Sequence, residues 1–240
     1  MKTLLLLCVF LVFEVHAKVV LIDPGHGGDE AGAVGFLDPK KTRKVFEKDL
    51  ALRLSKKIKT EISKSVSSYL TRSLDRSVTL QQRANLADLV KADLFLSIHF
   101  NSSPNLKSHG FELYYLDNNS NVAANKVERA ENLNLKGEES VVNQILVDLV
   151  VQQTVTHSKQ LAAAVHEKVK PVIKKYKIED RGIKPGLFYV LALSKRPGLL
   201  VEVGFVSNNE ELKKVNEDRF LSDMAKGISA GVLAFIKTQK

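Results

Sequence analysis

His26, His99, Glu47 and Glu202 are the residues of this chain whose types and settings suit metal-assisted hydrolysis. His26 sits in Asp23-Pro24-Gly25-His26-Gly27-Gly28, a glycine-rich turn that ends the apolar run 19–22. An apolar run stopped by Pro and Gly reads as a buried strand emptying into a turn. A second run, 94–98, empties onto His99 and Asn101, and a third, 199–201, onto Glu202. In open α/β sheets, sites gather outside the carboxyl ends of the strands. Two imidazoles and a carboxylate delivered to one sheet edge therefore predict a zinc hydrolase site. Glu47 is the further candidate ligand. It shares a helical face with Leu50 and Leu54, the face that packs on the sheet, and an unpaired carboxylate there is costly. One Glu and two His leave the fourth position of tetrahedral zinc open, which marks a catalytic site rather than a structural one. Glu202 then suits a general base that takes a proton from water and returns it to a leaving nitrogen.

Bland roles compete with each of these. The turn around His26 could cradle a phosphate, but it lacks the Lys-Ser/Thr pair of a P-loop and the spacing of a dinucleotide fingerprint. Glu47 could simply complement a helix dipole, and Glu202 could cap or pair at a strand end. His157 and His166 share a helix at a spacing that suits no common metal, and they read as surface or packing residues. His109, just before a predicted strand, is left outside the set.

The elements that must position these residues alternate between strand and helix, which predicts an α/β sheet with helices on its faces. After the first strand comes a loop, 29–42, and then a helix, 47–65, with Leu50, Leu54, Ile58 and Ile62 four residues apart. Residues 68–71 read as a short strand ending at Arg72, 80–91 as a helix, 94–99 as a buried strand and 110–116 as another. From 117 to 156 the pattern changes to a helical excursion inserted in the sheet domain. It holds a short helix, 123–133, a break at Gly137, and an apolar stripe of Val142, Ile145, Leu146, Leu149 and Val150. Another helix covers 157–175, with Pro171 as its kink or stop. Residues 188–193 and 199–203 read as closing strands, and 218–237 as a terminal helix.

Residues 1–17 stand apart. Lys2, the apolar run 4–13 and the small-residue end Val15-His16-Ala17 fit a secretory signal cut before Lys18. The run is too short for a stable membrane anchor. The rest, 18–240, suits one domain. Cys8 is the only cysteine, so the mature chain has no disulfide and no thiolate ligand, and a metal must sit on His, Asp or Glu. The formal charge is +9, and loss of Lys2 with Glu14 leaves it unchanged. A basic exported protein is drawn to polyanions, cell-wall polymers among them. The lysines are spread over helices rather than interleaved with aromatics, which argues against nucleic acid as the partner.

Five stretches together resemble one family. They are DPGHGG from Asp23, FEKDLALRLSKKI from Phe46, TRSLDRSVTLQQRANLA from Thr71, KADLFLSIHFNSS from Lys91 and LLVEVGFVSNNEE from Leu199. In this order they resemble the zinc-dependent N-acetylmuramoyl-L-alanine amidases of bacterial cell walls, the amidase type 3 family. The resemblance implies a single α/β domain with a twisted, mostly parallel or mixed sheet of about six strands, helices on both faces and an inserted helical segment. It implies zinc on His26, Glu47 and His99, with Glu202 as catalytic acid/base. The implied substrate is peptidoglycan, cut between N-acetylmuramic acid and L-alanine, by a protein that is periplasmic or secreted. Another zinc hydrolase on the same scaffold, a peptidase or deacetylase, is the alternative. Two positions depart from the family: Glu30-Ala31 stands where Asp-Pro is usual, and Phe100 follows the second histidine where Ala is common. The 117–156 excursion resembles the inserted helix that blocks the cleft in daughter-cell-separating members. Glu131 matches the blocking glutamate best, and Glu128 is the alternative. The stripe 142–150 is then either a docking helix for an activator protein or an ordinary core helix.

Overall fold

In a computed structural model of the chain, residues 18–118, 124–132 and 144–239 are described. The expected signal segment, 1–17, lies outside them, as do Gly137 and Val142 of the excursion. Among the described residues no helix is long and apolar enough to cross a membrane.

A six-stranded sheet forms the centre. Its strands are β1 (Val19–Pro24), β4 (Ser67–Leu70), β5 (Leu94–Asn101), β6 (Phe111–Leu116), β7 (Asp180–Gly186) and β8 (Gly198–Phe205), in the order β4-β1-β5-β8-β6-β7. All neighbours are parallel except β6 and β8, which makes the sheet mixed. β5 and β8 are buried along their whole length. That is why both read as continuous apolar runs rather than alternating ones.

The period of two along each strand sorts side chains onto two faces. Val20, Ile22, Leu96, Ile98, Leu113, Leu199 and Val201 share one core with α1 (Glu47–Ile62) and α7 (Asp218–Thr238). Leu21, Phe95, Tyr114 and Leu200 share the other with residues of α2 (Leu80–Leu89) and α5 (Tyr189–Ser194). By that parity Asp23, Ser97, His99, Glu112 and Glu202 all fall on the second face. Register brings the last three together, with His99 opposite Glu202 and Glu202 opposite Glu112. The second face thus changes from apolar to polar toward the C-terminal ends of β1, β5 and β8.

The expected closing strand at 188–193 is a correction. The strand is β7, which ends at Gly186, and the apolar stretch after it is the short helix α5. Val190, Leu191 and Ala192 are buried, and periodicity alone does not separate a short buried helix from a buried strand. β7 was hidden because its sequence, DRGIKPG, is polar and contains Pro185, as an edge strand tolerates. The expected loop 29–42 also contains more order than its glycines suggest: β2 (Val34–Phe36) pairs antiparallel with β3 (Lys44–Phe46) and delivers the chain to Glu47. Finally, the two helices expected on either side of residue 156 are one, α4 (Gln144–Tyr176), and Pro171 lies inside it rather than stopping it. Its N-terminal half gives Val147, Val150 and Val151 to the second core, its C-terminal half Leu161, Val165 and Val169 to the first. Burial at both ends outweighs one lost backbone bond. α3 (Asn125–Asn132) lies within the expected short helix.

Candidate metal centre

His26 depends on a backbone that few residues adopt. Its φ is 55°, in the left-handed region, which costs a non-glycine residue energy unless the surroundings fix it. Two buried arginines do so. Arg72 donates from Nε to the Pro24 carbonyl at 3.1 Å and from Nη2 to the Gly25 carbonyl at 2.7 Å. Arg83 donates to Pro24 at 2.9 Å and to His26 at 3.0 Å. Arg83 is itself paired with Asp23, which also accepts from the Thr71 hydroxyl at 2.5 Å and the Ser97 hydroxyl at 2.9 Å. Burial alone would raise the Asp23 carboxyl, but the Arg83 charge and the Thr71 hydroxyl outweigh it and hold it below its ordinary value.

Glu47 opens α1 and reaches across the sheet end. Its Oε2 accepts from the Ala33 amide at 2.8 Å and its Oε1 from the Phe100 amide at 3.0 Å. The same Oε1 lies 3.1 Å from His26 Nε2 and 3.0 Å from His99 Nδ1. Burial disfavours charge on Glu47, yet the two imidazoles reverse this and lower its pKa strongly. Glu131, on α3, completes the group: its Oε2 is 2.7 Å from His99 Nδ1 and 3.5 Å from His26 Nε2. Burial also works against a charged His99, but Glu131 and Glu47 raise it well above its ordinary value.

The four ligand atoms all lie within 4.8 Å of one another. Bonds of roughly 2.0–2.1 Å at tetrahedral angles require donor atoms about 3.3 Å apart. The measured separations of 2.7, 3.0, 3.1 and 3.5 Å bracket that figure. His26 Nε2 and both carboxylate oxygens of Glu202 are buried without a hydrogen-bond partner, and among the described residues only the Ser55 hydroxyl shares that condition. An unsatisfied nitrogen in this cluster, and an unsatisfied carboxylate opposite His99 on the neighbouring strand, fit a site built around a cation and a polar ligand. Glu202 is fully buried, and burial, then the Glu131 charge, push its carboxyl well above the usual range.

Glu128, the alternative to Glu131, does something else. It accepts from the Leu187 amide at 2.9 Å, while Asn132 donates to the Leu187 carbonyl at 2.8 Å and accepts from the Tyr189 amide at 3.1 Å. These contacts lay α3 across the cleft and divide it. One lobe, about 270 Å³, is lined by Ser77, Thr79 and Phe188; the other, about 730 Å³, by Ala33, Asn101 and Arg181; His26 and Glu131 line both. The remaining histidines lie elsewhere. His109 is 3.4 Å from Glu179, His166 is 2.7 Å from Asp180, and His157 lines a small cavity with Lys18 and Phe235.

Sequence reasoning passed over Asp23, Arg72 and Arg83 as working residues, and Glu112 with its partners. The available signal was Arg72, directly after a predicted strand, and Arg83 within an otherwise ordinary helix, since a buried guanidinium must be paired.

The sequence profile of the family described as N-acetylmuramoyl-L-alanine amidase matches residues 20–234. The chain is 30% identical over 228 residues to the N-acetylmuramoyl-L-alanine amidase AmiA of Escherichia coli (strain K12), covering 91% of this chain and 76% of that protein. It is 31% identical over 229 residues to the amidase AmiC of Escherichia coli O6:H1, covering 90% of this chain and about half, 52%, of that protein. Among solved structures, the N-acetylmuramoyl-L-alanine amidase from Clostridium difficile 630 superposes with a TM-score of 0.70 at 28% identity, over 93% of this chain and 99% of that one.

The clamped turn yields a test. A Cβ on Gly25 would lie 2.4–2.8 Å from three atoms of the His99 ring. Gly25→Ala is therefore expected to displace that imidazole and lower metal uptake at least tenfold, on the order of 1.4 kcal/mol, while circular dichroism keeps its parental shape. Full metal content in a folded Gly25→Ala protein would show that the close approach does not set the site.

Proposed function

This chain belongs to the N-acetylmuramoyl-L-alanine amidase family and is an enzyme of that class, and we propose that it cuts peptidoglycan between N-acetylmuramic acid and L-alanine with zinc held by His26, Glu47 and His99. The observation that carries this reading is the close convergence of two nitrogen and two oxygen donors at the C-terminal ends of the strands. Zinc, when bound there, supplies a Lewis acid and a nucleophile usable at neutral pH.

The chain's own residues supply the rest. The Phe100 and Ala33 amides fix both Glu47 oxygens, so the carboxylate cannot swing away. Glu202 sits opposite His99 on the neighbouring strand with both oxygens free of protein partners. It takes the proton of the attacking water at its carboxylate and returns it to the leaving nitrogen. Burial raises the Glu202 carboxyl well above its ordinary value, as a group that must also hold a proton requires.

Glu131 occupies the fourth donor position in this reading, and α3 covers the cleft as a lid. α3 contributes no buried residue of its own and is held by the polar contacts of Glu128 and Asn132. Such a segment opens at low cost. The exposed Ile145 and Leu149 on α4, 66% and 50% accessible, support a partner protein docking beside it and drawing the lid away. Residues 1–17 are proposed as the export signal that delivers the enzyme to the periplasm or the exterior.

Digestion of purified cell walls by the zinc-loaded chain is expected to release new L-alanine amino termini without new reducing sugar ends. Reducing ends, or acetate, would point instead to a glycosidase or deacetylase. Glu202→Gln is expected to keep its zinc while turnover falls about 10²–10⁴-fold, the usual share of a positioned acid/base. His99→Ala is expected to lose the zinc itself, read by elemental analysis. Glu131→Ala is expected to keep zinc and release fragments faster than the parent. If it folds, binds zinc and is no faster, Glu131 is a structural contact and the lid reading fails.

A further inference from the structure

Arg181 is a residue the proposed reaction leaves without a task. It lies on β7 and lines the 730 Å³ lobe that also reaches His26 and Glu47. Its guanidinium is held on several sides. Nε is paired with Glu112, Nη1 donates to the His109 carbonyl at 3.3 Å, and the group lies 5.3 Å over the Phe205 ring. Its Cδ packs so closely on Gly110 that a Cβ there would come within 2.5 Å. Nη2 has no hydrogen bond among the described residues. An arginine immobilised along one edge with a donor left over is pre-organised to receive an acceptor.

The partner it already has does not consume its charge. Glu112 accepts from the Tyr114 hydroxyl at 2.6 Å and the Asn101 amide at 3.1 Å through Oε2, and from Lys184 at 2.8 Å and Arg181 through Oε1. Its acceptor sites are filled. Two cations therefore face one carboxylate, and the trio keeps one net positive charge at the wall of the cleft.

We infer that Arg181 forms a subsite for a carboxylate of the stem peptide, on the residue that follows the cleaved L-alanine. The inference rests on the amidase reading, because it places the scissile amide beside His26 and Glu47 and the next residue further along the same lobe. A cavity of this size accommodates such a peptide segment. A guanidinium donating to a carboxylate recognises charge as well as shape, so the free acid is favoured over its amide.

The test uses two muramoyl-dipeptides that differ only in the second residue, one with a free α-carboxylate and one with a carboxamide. In a Glu131→Ala background throughout, which serves as the parent so that α3 does not block the cleft, the zinc-loaded full chain is expected to prefer the free acid by about ten- to a hundredfold in kcat/KM, the range of a charge-assisted hydrogen bond. Arg181→Gln is expected to reduce that preference to within about threefold. A parent with no preference overturns the subsite. So does an Arg181→Gln protein that loses equally on both compounds, which would mean that Arg181 only holds Glu112. Binding of the same pair to Glu202→Gln, measured by calorimetry, gives the preference without turnover. If neither compound is cleaved by the parent, the amidase reading fails, and the Kd ratio still decides the subsite.

Discussion

The site depends on how a charged group is buried at the end of β1. Asp23 and Arg83 are almost entirely out of water, and so is Arg72. Buried charges are tolerated only when every one is paired and hydrogen-bonded. Here the pairing does structural work. Besides Asp23, the arginines serve the carbonyls of Pro24, Gly25 and His26, and tie them to those of Lys48 and Val78. The pairing of β1 with β4 stops at Ile22, and the chain leaves the sheet after Pro24. The arginines thus replace a missing ladder and hold His26 at a positive φ. Without them the imbalance would be double: unsatisfied carbonyls in the turn and an unpaired carboxylate beneath it.

A second buried carboxylate repeats the arrangement three strands further along the sheet, on β6. Glu112 stands opposite Glu202 across β6 and β8, but the two have opposite environments. Glu112 is saturated by Asn101, Tyr114, Lys184 and Arg181, and these partners hold it below its ordinary pKa despite burial. Glu202 has none, and burial with neighbouring acids drives it up. The cross-strand geometry makes the two residues near neighbours, so the difference is set by partners rather than by depth. One acid is fixed as a permanent anion, and the other remains able to exchange a proton.

Much of this was readable in the sequence, for definable reasons. Val20 to Ile22, Leu94 to Ile98 and Leu199 to Val201 are apolar because both sheet faces are covered, and each run marks its polar successor. Glu47 was legible because it keeps the phase of Leu50 and Leu54 on α1. β7 was not, since an edge strand needs neither apolar residues nor a free amide at Pro185. Residues 188–193 were misread as a strand because a helix shorter than two turns does not express its period. The join of two helices into α4 was also hidden: Pro171 is a genuine breaking signal, overruled by Val165, Val169 and Ile173 packed on either side of it. Arg72, Arg83 and Arg181 escaped notice because arginine is usually a surface residue, and only the fold says which carbonyls lack a donor.

The placement of α3 follows from these same features. β7 and α5 are joined at Leu187 to Tyr189, where the backbone leaves the sheet and exposes polar groups. Glu128 and Asn132 fill them from α3 with three hydrogen bonds, while Glu131 reaches His99 and Val127 packs on the second core. Phe188, between the fastened residues, packs at 5.0 Å on Tyr114, which bonds Glu112. The latch therefore rests on the framework that orders the far wall of the cleft. α3 and the turn that carries His26 thus rest on different backbone partners, Leu187 and Tyr189 for the helix and Arg72 and Arg83 for the turn, and they meet at Glu131, beside His99.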